Sequence, residues 1–146
     1  MRSNITRDLI ARRLASQTWG DVQKQSKLGD GIWLFHTVGH GGYIVDTVRH
    51  PELSKYNSIV ETRKESGKYR TSEQGFAAFE EDCMYAIVEW THPHMLYASV
   101  KEYRIGDLSV DLWIQQRLLR VEKSLARYNP EFLAEHPVHG PLTKLD

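Results

Sequence analysis

Two apolar runs with a glycine-rich tetrapeptide between them constrain this chain more than any other feature. The first is Ile32-Trp33-Leu34-Phe35-His36-Thr37-Val38 and the second is Tyr43-Ile44-Val45-Asp46-Thr47-Val48, joined by Gly39-His40-Gly41-Gly42. Both runs are rich in β-branched and aromatic residues and short for core helices, so together they read as a β-hairpin with a four-residue connection. The first run is apolar on both faces, which predicts a strand covered on both sides. Gly29-Asp30-Gly31 just upstream supplies turn chemistry, because glycine reaches positive φ without steric cost.

Helical patterns flank the hairpin. Ile5, Leu9, Ile10 and Leu14 fall at helical spacing behind Asn4 or Thr6 as a cap, with arginines on the other face, and Thr18-Trp19-Gly20-Asp21 ends that helix. His50 to Tyr56 reads as a short helical turn with Pro51 at an early position, where its missing N–H does no harm. Residues 59–70 are polar and read as extended or looped. Thr71 and Gln74 stand at capping-box spacing, and Phe76, Phe79, Cys83, Ala86, Ile87 and Trp90 share one stripe. They predict a helix from about Glu73 to about Glu89, stopped by Thr91-His92-Pro93. Residues 95–105 fit a short helix or a strand. A last long helix opens at Asp107 or Ser109 and runs to Tyr128, where Asn129-Pro130 ends it, and the tail 130–146 either wraps the surface or hangs loose. The class that follows is α+β: a small antiparallel sheet with a glycine-rich hairpin packed against helices, plus a long C-terminal helix. A length of 146 residues is enough for a single domain, with its core over about 19–93 and a helical extension over about 107–129.

Charge and cysteine usage narrow the function classes. Nineteen basic residues balance nineteen acidic ones, whereas binding to phosphate backbones needs clustered excess cations. Cys83 is the single cysteine, which excludes an internal disulfide framework and a cysteine-rich zinc site. No run approaches the roughly 18 apolar residues of a membrane span, and the N-terminus with Arg2, Arg7, Arg12 and Arg13 does not read as a signal peptide. The expected compartment is the cytoplasm. No cofactor and no metal is implied, since His36, His40, Glu80, Asp82 and the His92-Pro93-His94 pair lack a ligand spacing.

Two constellations carry candidate chemistry. Glycines on both sides of His40 let a backbone or ligand come close and expose successive N–H groups, while the imidazole stands at a strand end as a base, ligand or donor. A tight hairpin whose histidine bonds its own backbone has the same sequence. The second constellation is Phe79-Glu80-Glu81-Asp82. On a helical wheel with Phe76 at the origin, Glu80 falls at about 40°, on the edge of the apolar stripe, while Glu81 points away. A carboxylate so placed needs a partner, which a structural tie or a catalytic pair with His40 or His36 would supply.

The order Trp19-Gly20, then Thr37-x-x-His40-Gly41-Gly42, then Phe79-Glu80-Glu81-Asp82 resembles an uncharacterised domain family of bacteria, phages and mobile elements. Its members carry Trp-Gly, Thr-x-x-His-Gly-Gly and Tyr-Glu-Glu-Asp motifs. The likeness covers about Trp19 to Pro93, with Phe79 where the family has tyrosine and Thr18 where it has proline. It implies that the glycine–histidine turn and the acidic segment belong to one constellation, and that the chain serves in counter-defence or host interaction.

Three readings of function follow. The first is an accessory protein acting by binding, which inhibits a host defence component or sequesters its ligand. A small ligand would meet the N–H groups of Gly39, Gly41 and Gly42 together with His36 and His40, with Trp19, Trp33 or Tyr43 as stacking surfaces. A protein partner would meet the terminal helices through Arg12, Arg13, Trp113 and Arg117. The second is a hydrolase-type enzyme using His40, Glu80 and Asp82. The third is a homo-oligomer formed through the last helix, whose apolar pattern widens at Trp113, Ile114 and Val121.

Overall fold

The computed structural model describes residues 4–56, 75–82, 84–100 and 109–142, with side chains from Arg7 onward. Cys83, the start signal at Thr71 and Gln74, the stretch 59–70 and Asp107 lie outside the described residues. The chain forms two compact units, Met1–Glu81 and Asp82–Asp146.

The first unit sets helix α1 (Asn4–Trp19) beside an antiparallel sheet whose strands neighbour one another in sequence order: β1 (Val22–Gly29), β2 (Ile32–Thr37), β3 (Gly41–Asp46) and β4 (Phe76–Glu80). Helix α1 stops where Gly20, at φ +101°, donates its N–H to Ser16 O at 3.0 Å, a conformation that glycine adopts freely. Asp30-Gly31 then joins β1 to β2, with Gly31 at φ +77°. Directly paired strand residues share a face, so Trp33, Ile44 and Ala78 form one row and Leu34, Tyr43 and Phe79 another. The first row, with Phe35 and Phe76, packs against Ala11, Leu14, Ala15 and Trp19 of α1. The second row is buried as well, and Leu53 of a 3-10 helix at Pro51–Tyr56 is fully buried near β4. Coverage of β2 on both faces is therefore as the sequence predicts.

Two expectations need correction, and strand β1 has no counterpart in the sequence reading. The helix expected over about 73–89 is a strand at Phe76–Glu80, a turn, and a short helix α2 at Tyr85–Thr91. All four of Phe76-Ala77-Ala78-Phe79 are buried, which suits a strand sandwiched on both faces and not a helix with one core stripe. The adjacent alanines favour helix locally, and pairing with β3 overrides that preference. Strand β1 carries no apolar alternation, because its side chains from Gln23 to Gln25 are exposed at a sheet edge. Leu9 is exposed, so α1 turns small alanines and Leu14 to the sheet.

The second unit is helical. After α2, which ends before His92-Pro93 as predicted, come a 3-10 turn at Pro93–Met95, α3 (Leu96–Ser99), α4 (Val110–Tyr128) and α5 (Pro130–Glu135). Ser109 caps α4 by accepting from Leu112 N at 3.2 Å, and Ile114, Leu118, Val121 and Leu125 form its buried stripe. Helix α4 packs on α2 and α5. Glu89 of α2 is buried and receives both Arg117 Nε at 2.7 Å and a second guanidinium nitrogen at 3.0 Å. The tail continues past α5 as a strap on α2. Trp90 donates from its indole to His136 O at 2.8 Å and accepts from Gly140 N at 2.8 Å, with His139 edge-on to its ring.

Candidate functional site

The hairpin connection is tighter than expected: Gly41 and Gly42 belong to β3, leaving Val38, Gly39 and His40 as the turn. Thr37 locks it. Its N–H donates to His40 O at 2.9 Å, while Thr37 Oγ1 accepts from His40 N at 3.2 Å and lies 2.6 Å from His40 O. The same hydroxyl is 3.2 Å from Trp19 O, so its single proton is shared between the turn and the end of α1. A β-branched residue with a hydroxyl suits this place, since χ1 is stiff and the oxygen serves as donor and acceptor.

The glycines are explained by close backbone approach. A Cβ at Gly41 would stand 2.5 Å from Phe35 O, and one at Gly42 would overlap Phe79 O. Gly42 pairs with Glu80, and Glu81 N donates to Gly41 O at 3.0 Å. The acidic segment does meet the glycine–histidine turn, as the sequence led us to expect, but through main-chain pairing and not through a buried carboxylate. Glu80 and Glu81 are exposed at the end of β4. The Glu80 placement on a helical stripe is thus overturned, because the wheel assumed a helix where a strand forms.

The remaining candidate residues are dispersed. His40 is exposed, and its imidazole makes no hydrogen bond among the described residues, so it is not oriented by Glu80. His36 is half-buried on β2, between Lys24 of β1 and Gly41 of β3. Trp33 and Tyr43 are buried in the sheet, and the Trp33 indole donates to Asp8 at 2.8 Å, so neither ring offers a free stacking face. Arg12 is exposed and donates to Gln25 at 2.6 Å, and Arg13 is exposed beside it on α1. Asp82 opens the second unit and is exposed. There Trp113 is half-buried on α4, and Arg117 is engaged with Glu89, so its guanidinium serves the helix pair.

Trp19 is buried against the sheet and its indole N–H has no hydrogen-bond partner among the described residues. An orphaned buried donor costs about 1–3 kcal/mol. Trp19→Phe is therefore expected to keep stability within about 1 kcal/mol in urea titrations, while Trp19→Ala loses about 3–5 kcal/mol to the cavity. Equal losses in the two variants would mean that the indole nitrogen is bonded after all.

At the far end of β3 lies a charge cluster that the sequence did not disclose. Asp46 is 2% exposed and takes Arg7 Nε at 3.0 Å and a second Arg7 nitrogen at 2.8 Å. It also accepts from Val48 N at 2.9 Å and Arg49 N at 3.3 Å. Arg7 in turn donates to Gly75 O at 3.0 Å and lies over the Phe76 ring. Burial alone pushes the Asp46 carboxyl up, but the Arg7 guanidinium and the two N–H donors outweigh it and hold it below its ordinary value. Arg49 pairs further out with Asp30. The cluster ties α1, β3 and the start of β4, and its role is structural.

No helix among the described residues is long and apolar enough to cross a membrane. Residues 12–136 match a family described as a domain of unknown function, DUF7007, a longer span than the 19–93 expected from the sequence. Comparison with curated proteins and with solved structures gives no match.

Proposed function

The chain belongs to the DUF7007 family, and from that premise we propose that it acts by binding, through the β2–β3 turn. The turn is the observation that supports this. Val38 is 83% exposed at its tip, Gly39 and His40 are exposed next to it, and Thr37 fixes the backbone beneath. A loop held rigid by its own scaffold loses little freedom on association, which favours affinity at small contact area. Glu80 and Glu81 lie beside the base of the turn through their pairing with Gly42 and Gly41. The surface so formed is an apolar point, an imidazole and two carboxylates, complementary to a partner protein carrying a small apolar recess bordered by cations. An imidazole with no orienting partner among the described residues is a poor general base, which favours binding over catalysis.

In the setting we favour, the chain is an accessory protein of a phage or mobile element. In the cytoplasm of the host it engages a defence component and blocks it, or withholds the ligand that component needs. The test is affinity capture from a host lysate with the wild type, with Val38→Asp/His40→Ala, and with Glu80→Lys/Glu81→Lys, each checked for folding by circular dichroism. A single protein retained in stoichiometric amount by the wild type and lost by both variants is the expected result. Equal capture by all three would remove the turn from the binding face.

A further inference from the structure

We infer that α4 is a self-association surface: two copies of the chain pair antiparallel through its outer face, with Leu119 on the two-fold axis. The buried stripe of α4 is Ile114, Leu118, Val121 and Leu125. Of the residues that widened its apolar pattern in the sequence, Ile114 and Val121 are buried within the unit and Trp113 is half-buried. What stays outside is a different stripe. Leu112 is 42% and Leu119 62% exposed, one heptad apart, with exposed Ala126 a heptad further on and Gln115, Gln116, Glu122 and Lys123 flanking them. At 3.6 residues per turn these side chains occupy one side of a rod about 28 Å long, on the side away from the core.

The charge pattern selects the partner and its direction. In the antiparallel arrangement Leu119 meets the partner's Leu119, and Leu112 meets the partner's Ala126. Asp111 in the first turn then faces the partner's Arg127, which is in its last turn. Gln115 falls opposite the partner's Lys123, and Gln116 opposite the partner's Glu122. No position meets a like charge. A parallel pair would set Asp111, Glu122, Lys123 and Arg127 each against its own copy, which is repulsive at every charged position. Because the antiparallel contact is isologous, each favourable pair occurs twice. Asp111, exposed on α4, accepts from Tyr97 O–H at 3.3 Å through Oδ1, and the exposed Arg127 has its guanidinium over Tyr128 at the helix end.

One helix pair forms a small interface, so the dimer is a weak, reversible one with a dissociation constant of roughly 10–100 µM. Sedimentation velocity of the full chain between about 5 and about 500 µM brackets that range. The expected result is a concentration-dependent rise toward a dimer, abolished by Leu119→Glu. Asp111→Arg and Arg127→Asp each weaken the dimer by at least about fivefold, and the double swap returns it to within about twofold of the wild type. Leu119→Cys in a Cys83→Ser background closes an intermolecular disulfide on oxidation, since only residues near the axis bring two copies of one Cα within disulfide reach. A monomer throughout the range overturns the inference, as does a dimer indifferent to Leu119→Glu or a double swap that fails to restore it. The Val38→Asp/His40→Ala variant leaves the sedimentation unchanged, so this result and the binding role of the turn are decided separately.

Discussion

Gly42→Ala is expected to cost about 3 kcal/mol or more and to shift the urea midpoint accordingly. The added carbon would overlap Phe79 O and stand 3.0 Å from the Phe79 carbonyl carbon, both of them backbone atoms of β4. No rotamer change relieves such a clash, so β3 and β4 must part along the pairs Gly42–Glu80 and Tyr43–Phe79. Gly39→Ala is the internal control. Nothing lies within 4 Å of a Cβ there and its φ is not in the left-handed region, so its stability stays within about 0.5 kcal/mol of the wild type. A Gly42→Ala protein as stable as that control would mean that β4 does not pair with β3 in this register.

Arg7→Ala is the second large effect, expected at about 3–5 kcal/mol, because it leaves a buried carboxylate without its bidentate partner and only Arg49 Nε, 3.9 Å away and half out in solvent, as a cation among the described residues. The pH dependence follows from the lowered Asp46 value. Folding holds this carboxyl ionised where the unfolded chain would protonate it, so its contribution is complete above the ordinary aspartate value of 3.8 and is lost as pH falls through the folded value. Denaturation curves at pH 7 and pH 3 should therefore separate in the wild type. In Asp46→Asn, which removes the titrating group, the part of that separation due to this residue disappears. In Arg7→Ala the midpoint is already low at pH 7 and falls less on acidification. A wild-type-like Arg7→Ala protein at pH 7 would show that the two N–H donors and Arg49 suffice for Asp46.

Some of this architecture is legible in the residues and some is hidden for physical reasons. The β2–β3 hairpin is readable because two apolar runs flank glycines. The ends of α2 and α4 are readable because His92-Pro93 and Ser109 act within one turn of the chain. Strand β4 is not, because Phe-Ala-Ala-Phe fits either period and only its partner β3, some thirty residues away in sequence, decides between them. That misreading carries Glu80 from an exposed strand end to a helical stripe. The neighbourhood of turn and acidic segment nevertheless comes through, since β4 delivers it by main-chain pairing. The Arg7–Asp46 pair is hidden because Arg7 looks like one more arginine on a solvated helix face. An aspartate closing an otherwise apolar strand is the one signal from which a buried cation could have been inferred.

The division of labour within the hexapeptide from Thr37 to Gly42 has a consequence for how such a chain diverges. Thr37, Gly41 and Gly42 are fixed by hydrogen bonding and backbone approach, and a change at any of them disturbs the sheet. Val38, Gly39 and His40 face open solvent with unstrained backbone. Substitutions at Val38 and Gly39, the two positions that the Thr-x-x-His-Gly-Gly pattern leaves open, meet no stability barrier. A lineage can therefore rewrite what the turn presents while inheriting the same frame, and a change in its target can be followed by a few point mutations and no refolding.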